Sequence, residues 1–127
     1  MNVFLMVSGF LALFATVGHL VMGGKSFLRP MLGAEFSPVS KRVMYCVFHF
    51  MTVDFAIATL ILLGAGFGAT FGLDAKLAVI AVIAHFALYG IVQVVMVIAS
   101  GIEKGLMKIF QWTLFLIIAI VAILGLI

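Results

Sequence analysis

Hydrophobic residues fill four long stretches of the chain, and short, more polar segments separate these stretches. A membrane-spanning helix needs roughly 20 predominantly apolar residues, and each stretch has about that length. Because lipid offers the backbone no hydrogen-bonding partner, each stretch must be helical. The pattern predicts an all-α membrane protein, an antiparallel four-transmembrane-helix bundle in one domain of residues 1–127, with helices at about 2–22, 43–63, 77–99 and 109–127.

The composition supports the membrane assignment and excludes several other classes of protein. Of the 127 residues, 67% are hydrophobic and 9% are charged, whereas about a quarter of the residues of a soluble domain are charged. We therefore expect the lipid bilayer, and other membrane subunits or further copies of the chain, as partners. The sequence shows no basic groove interleaved with aromatic residues, so we do not expect nucleic acid as a partner. The single cysteine, Cys46, excludes an internal disulfide and a cysteine metal cluster.

The distribution of positive charge predicts an orientation. Because the amino terminus lacks the basic region and cleavage pattern of a signal peptide, we interpret the first stretch as a retained span. Cytoplasmic loops carry an excess of Lys and Arg. Six of the seven cationic residues lie in the first and third loops, which predicts cytoplasmic loops there and both termini on the outer side: Lys25, Arg29, Lys41, Arg42, Lys104 and Lys108.

Helix boundaries in the first loop follow from glycine and proline. Gly23 and Gly24 are expected to end the first helix, and Pro30 to prevent its simple continuation. Ser37 followed by Pro38 is typical of a helix start, with serine capping and proline in the first turn.

Small residues give two further expectations. Gly64, Gly68 and Gly72 recur every fourth residue, which suits close helix packing, but a helix from Pro38 to Gly72 would be over about 50 Å long. We therefore predict that the second helix ends near Gly64 or Gly68, and that a turn follows. Small residues in the third and fourth helices indicate tight packing there as well: Ala78, Ala81, Ala84, Ala119, Ala122 and Gly125.

Polar side chains inside the spans are the candidate functional residues, because ionisable groups in lipid are costly. Counting 1.5 Å per residue from the cytoplasmic border places five of them at a depth of about 5–10 Å, as a ligand-binding layer: His19, Tyr45, His49, Gln93 and Gln111.

A deeper group consists of Asp54 at about 18 Å, Tyr89 at about 15 Å and His85 at about 21 Å. His85 and Tyr89 share a helix face, one turn apart. A carboxyl at this depth is expected either to be protonated or to pair with His85 or the Tyr89 hydroxyl. These three residues are candidates for proton or ion coupling.

Several kinds of chemistry remain open. Histidines such as His19 and His49 suit a haem, metal or quinone-like ligand near the cytoplasmic face. The greater depth of His85 disfavours a zinc or copper site built from all three histidines, and a haem or metal cofactor is not the favoured interpretation. Asp54 with His85 suits a small proton-coupled transporter. No nucleophile is set beside a base, so the pattern does not favour an enzyme. The leading hypothesis is a protein that acts through helix–helix contacts, as an accessory subunit or a homo-oligomer.

Several short segments carry a resemblance: residues 19–24 (HLVMGG), 29–32 (RPML), 45–52 (YCVFHFMT) and 111–112 (QW). With these segments the chain resembles small, uncharacterised four-span inner-membrane proteins of bacteria. The resemblance implies the same fold and a multi-pass location in the bacterial inner (plasma) membrane, and it implies no activity. It also implies that His19, Tyr45, His49 and Gln111 belong together.

Overall fold

The computed structural model describes residues 1–69 and 74–127, and all regular elements within these ranges are helical. Three apolar helical stretches are long enough to cross a membrane: Val3–Gly33, Pro38–Phe67 and Ala75–Ala99. A shorter apolar helix, Gln111–Leu124, follows them. The chain therefore has an all-α fold with the long apolar helices of a membrane protein.

The first helical stretch continues past the glycines that were expected to end it. It consists of α1 (Val3–Gly18), a π-helical segment (His19–Leu28) and the short helix α2 (Arg29–Gly33). The backbone remains hydrogen-bonded by wide turns, in which the Arg29 N–H donates to the Gly24 carbonyl. Gly23 packs against Phe48, whose ring would lie 3.3 Å from an added Cβ. Pro30 is tolerated because it falls in the first turn of α2, where its missing N–H costs little.

The second long helix, α3 (Pro38–Phe67), begins and ends at the local start and stop signals in the sequence. The Ser37 side chain accepts a hydrogen bond from the Ser40 N–H at 3.1 Å, and Pro38 is the first helical residue. The helix ends before Gly68, which has a left-handed φ of 82° that suits glycine. The helix is therefore longer at both ends than the predicted span of residues 43–63. Gly72 lies outside the described residues.

The second half of the chain contains one long helix and two shorter ones. Asp74 caps the start of α4 (Ala75–Ala99), because its side chain accepts from the N–H groups of Lys76 and Leu77. Two further helices follow, α5 (Gly105–Lys108) and α6 (Gln111–Leu124). With 14 residues, α6 is about 21 Å long, so it is shorter than the predicted span of residues 109–127. Helix α6 follows a chain reversal and the separate helix α5. The reversal contains Gly101 and Lys104, both with positive φ.

The core lies where α1, α3, α4 and α6 meet. Helix α1 packs extensively against α3 and also against α6, α4 packs against α6, and the contact between α3 and α4 is less extensive. At one end, the Asn2 backbone N–H donates to the Gly66 carbonyl at 2.8 Å, and its side-chain amide donates to the Gly125 carbonyl at 2.7 Å. The largest side chains of the core are Leu62, Phe86 and Ile118, each fully buried, and Phe55.

Candidate functional site

Three polar side chains meet between α3 and α4. His85 Nε2 lies 2.9 Å from Asp54 Oδ2, and the Tyr89 hydroxyl donates a hydrogen bond to the same oxygen at 3.1 Å. The sequence predicts His85 and the Tyr89 hydroxyl as the two partners of this carboxyl, and both are in contact with it. We call Asp54, His85 and Tyr89 the Asp54 cluster.

Neighbouring aromatic side chains hold the cluster in position. His85 and Tyr89 stand one turn apart on α4, with ring centroids 4.3 Å apart in an edge-on arrangement. Phe55, next to Asp54 in the chain, is 3% exposed and packs against Phe86 and Tyr89 of α4 and Phe115 of α6. Because Phe55 fixes the rotation of α3 at this level, Asp54 is directed towards α4.

The two contacts of the Asp54 carboxylate differ in geometry. Tyr89 makes a directed hydrogen bond, whereas His85 Nε2 is close enough for an ion pair but makes no directed hydrogen bond within residues 1–69 and 74–127. Both partners share Oδ2, and no contact of this kind involves Oδ1 among those residues. The side chains of His85 and Asp54 are 42% and 35% exposed. One side of the cluster is therefore open.

A groove of about 210 Å³ leads away from the open side of the cluster. Asp54 and His85 form its polar end. The remaining lining is apolar and comes from both helices: Ile57, Ala58, Ile61, Ala78, Ala81 and Val82. The groove exists because the contact between α3 and α4 is the less extensive one.

In the described chain, the side chains of the shallower predicted layer make their contacts in three groups. His19 Nε2 lies 2.9 Å from the Phe48 carbonyl, which can only accept, so Nε2 carries the proton. The His19 ring also stacks on Phe48, with centroids 4.0 Å apart, and meets Phe55 edge-on at 5.5 Å. The imidazole of His19 thus joins α3 to the π-helical segment.

Tyr45 and His49 form a second group, with their ring centroids 4.5 Å apart in an edge-on arrangement. The Arg42 guanidinium lies 5.7 Å from the centre of the Tyr45 ring, in the range of a cation–π contact. No hydrogen bond or ring contact joins His19 to either side chain in the part of the chain that the structure describes. Phe48 contacts both predicted histidines, because its ring stacks on His19 and meets His49 edge-on with centroids 5.5 Å apart.

Gln93 and Gln111 form a third group at the end of α4 and the start of α6. The Gln93 amide donates to Gln111 Oε1 at 3.2 Å, while Gln93 Oε1 is buried and without a hydrogen-bond partner among the described residues. Gln93 also follows Tyr89 by one helical turn. This pair therefore continues the polar face of α4 from the Asp54 cluster.

The donor sets do not assemble a metal centre in the described ranges, where no group of three or more His, Cys, Asp or Glu side chains could hold a metal ion. The Asp54 cluster offers one imidazole and one carboxylate, and His19 Nε2 is already engaged by the Phe48 carbonyl. The cluster suits binding and release of a proton or of a cation.

The walls of the groove are the site residues that the sequence did not reveal. Ala78 and Ala81 were expected to pack tightly against a neighbouring helix, yet Ala81 is exposed and both line the groove. Ala84 is exposed as well. By contrast, Ala119 and Ala122 are buried, as expected. Their spacing does not distinguish the two situations, because small residues allow either close approach or open space.

Comparison with known proteins does not identify the chain: no protein-family model, no curated protein and no solved structure matches it.

Proposed function

We propose that the chain is a four-span antiparallel bundle in the bacterial inner membrane, with both termini on the outer side. The two hydrogen bonds of Asn2 support this topology, because they join the start of α1 to the ends of α3 and α6. Helix α6 alone is too short for a full span. The span is completed either by residues 109–110 and 125–127 at its two ends or by local thinning of the bilayer. The cation-rich first and third loops support the orientation.

We further propose that the protein is a small proton-coupled transporter in which Asp54 is the titrating group. The observation that carries this proposal is the position of Asp54: a carboxyl deep within a span, in contact with His85 and Tyr89, at the polar end of a groove. A charge at such a depth is costly and typically marks a proton or ion pathway. A carboxyl that is accessible from one side can exchange a proton for another cation.

The polar face of α4 supports a route for the proton. His85, Tyr89 and Gln93 succeed one another at one-turn intervals, and Gln93 bonds to the exposed Gln111 at the end of the helix pair. Gln93 Oε1, which is buried and has no hydrogen-bond partner among residues 1–69 and 74–127, lies on this line. Beyond His85 the groove is apolar. We therefore propose that protons reach Asp54 from the side on which Gln111 lies.

Proton flux in liposomes tests this proposal. The purified protein is reconstituted into liposomes that contain the pH-sensitive dye pyranine, and a pH gradient is imposed. Amines, amino acids and sugars are then added one at a time. A transported solute should make the gradient dissipate faster than in liposomes without protein. Asp54→Asn should abolish this flux. Asp74→Asn is the matched control, since asparagine also caps helices well. Equal flux in wild type and Asp54→Asn, with every solute, would contradict the proposal.

A second candidate function is action through helix–helix contacts, as an accessory subunit or a homo-oligomer. The observation that favours it is the partial exposure of Asp54 and His85 on the side of the molecule, where acyl chains would otherwise meet them. A neighbouring helix that covered this opening would lower the cost.

Cysteine cross-linking in native membranes tests the second candidate. Ala81→Cys, in a Cys46→Ser background, places a thiol at the exposed wall of the groove. A cross-linked homodimer, or a stoichiometric cross-link to one other protein, would support the contact function. The matched control is Ile120→Cys on the exposed side of α6. Equal, weak cross-linking at both positions would contradict a specific contact at the groove.

The histidine-based redox site receives less support. Its proposed ligands form three separate groups, and His19 Nε2 is engaged by a backbone carbonyl. An absorption spectrum of the purified protein tests it directly, because a Soret band that is lost in His49→Ala would restore this alternative.

A further inference from the structure

We infer that the groove between α3 and α4 binds a lipophilic organic cation, with the positive group at Asp54 and the apolar body along the helices. The inference rests on the proposed transport function and names its substrate class. Three features of the groove carry it: its size, its lining and its charge.

The size suits a compact organic molecule. An engineered apolar cavity of about 150 Å³ accepts benzene, so a groove of about 210 Å³ accommodates an aromatic or branched aliphatic group and a small head. The groove is open along one side, and a ligand can therefore enter from the bilayer. This route suits a compound that partitions into lipid.

The lining suits the two parts of such a molecule. Branched and small side chains form the walls: Ile57, Ile61, Ala78, Ala81 and Val82. At the polar end, Asp54 Oδ2 already accepts from Tyr89 and faces His85, which leaves Oδ1 for a third partner. Among the described residues, neither Lys nor Arg belongs to the lining. The polar end therefore offers an anionic acceptor to a ligand and an apolar wall beside it.

The charge of the cluster distinguishes a cation from other ligands. When His85 is neutral, the ionised cluster has a net charge of −1, and in a low-dielectric site an unbalanced charge is costly. Either protonation of His85 or a bound organic cation balances it. An anionic ligand would be repelled by the Asp54 carboxylate. A proton on the cluster and a bound cationic ligand therefore compete to neutralise the same carboxylate.

A matched pair of probes tests the inference at equilibrium. Benzyltrimethylammonium carries a fixed positive charge, and neopentylbenzene is its neutral isostere, with carbon in place of nitrogen. Calorimetry on the full chain in nanodiscs, with empty nanodiscs subtracted, should detect the cation binding at least about tenfold more tightly than the isostere, a difference of about 1.4 kcal/mol or more. Equal binding of the two probes would overturn the inference.

Variants locate the binding. Asp54→Asn should weaken benzyltrimethylammonium binding at least about tenfold, while Asp74→Asn should leave it unchanged. His85→Gln, which removes the competing imidazolium, should bind the cation at least as tightly as wild type. Unchanged affinity in a folded Asp54→Asn variant would overturn the inference, and so would loss of binding in His85→Gln.

Wild-type protein provides a second readout if Asp54→Asn does not fold. Dicyclohexylcarbodiimide is an apolar reagent that modifies protonated carboxyl groups inside membranes, and mass spectrometry locates the modification. Benzyltrimethylammonium should slow modification of Asp54 several-fold, and neopentylbenzene should not. Labelling that is insensitive to the cation would overturn the inference.

A negative result in the binding experiment can be distinguished from a negative result in the flux experiment. Proton-coupled flux with another solute, in a protein that does not bind benzyltrimethylammonium, would contradict the substrate class and leave the transport function standing. Binding that depends on Asp54, without any coupled flux, would contradict transport and leave the cation site standing.

Discussion

Two helix interfaces in this protein use small residues for opposite purposes. Between α1 and α3, Gly9 and Gly66 allow backbones to approach: an added Cβ at Gly9 would lie 2.9 Å from the Leu63 nitrogen, and one at Gly66 would lie 2.8 Å from the Met6 nitrogen. Between α3 and α4, Ala78 and Ala81 instead line an open groove. The first interface holds the fold together, and the second leaves space beside a carboxyl.

The polar groups at the two interfaces differ in the same way. Beside α1, Ser8 is fully buried and donates to the Ile118 carbonyl at 2.8 Å, and Thr16 lies 3.3 Å from Thr59 with both hydroxyls buried. Each of the two threonine hydroxyls also donates to the backbone carbonyl four residues earlier in its own helix, at 2.8 Å. At the groove, Asp54 is partly exposed. We infer that stability resides in the α1 interfaces, and ligand exchange at the α3–α4 interface.

Gly66→Ala should have a large effect on stability. The new methyl group would contact the Met6 backbone, which cannot rotate away, so α1 and α3 must separate slightly. Overpacking of this kind typically costs about 1–3 kcal/mol, measurable as a shift of unfolding in SDS–detergent mixed micelles.

The control for Gly66→Ala is Gly18→Ala, also on a helix, where nothing lies within 4 Å of an added Cβ. Alanine is favoured over glycine inside a helix by about 0.5–1 kcal/mol, so this variant should be at least as stable as wild type. Equal destabilisation of both variants would contradict the role of the α1–α3 contact.

The Asp54 cluster is the part of the candidate site whose contacts the sequence predicts best. Depth along a helix follows from the 1.5 Å rise, and the midplane residues of neighbouring helices must then come level. The rise per residue therefore predicts Asp54 at the level of His85 and Tyr89, and the contacts agree with this prediction. The ends of α3 were predictable for a related reason, because Ser37, Pro38 and Gly68 act on the local backbone.

The contacts of the shallower residues do not follow from depth, because depth does not specify rotation about the helix axis. Phe48 and His49 are neighbours in sequence but point about 100° apart, and His19 meets Phe48 rather than His49. The π-helical turns add to the problem, since a count of 3.6 residues per turn no longer gives the direction of side chains after His19. The packing of Gly23 on Phe48 depends on a distant residue.

Ser8→Ala should have an intermediate effect. It removes a buried hydrogen bond between α1 and α6, and side-chain hydrogen bonds between membrane helices contribute about 0.6 kcal/mol on average and up to about 1.7 kcal/mol. The same unfolding titration measures this loss. Ser26→Ala, at an exposed position, should have no measurable effect, and a loss as large as that of Ser8→Ala would remove the distinction.

Ala81→Leu should change stability least and ligand binding most. Ala81 is exposed on the wall of the groove, so leucine can extend into open space, and the free energy of unfolding should stay within about 0.5 kcal/mol of wild type. The same side chain would occupy the path beside Asp54. Binding of benzyltrimethylammonium should therefore weaken by about tenfold or more.

Ala122→Leu is the matched control, because it makes the same change at a fully buried residue of α6. There the larger side chain has no free space, and overpacking should cost about 1–3 kcal/mol. If Ala81→Leu were as destabilising as Ala122→Leu, the α3–α4 interface would be packed like the others, and the groove would not be a binding space. A stable Ala81→Leu variant that still bound the cation normally would place the ligand elsewhere, because the leucine side chain would take up part of the groove that the apolar body of the ligand needs.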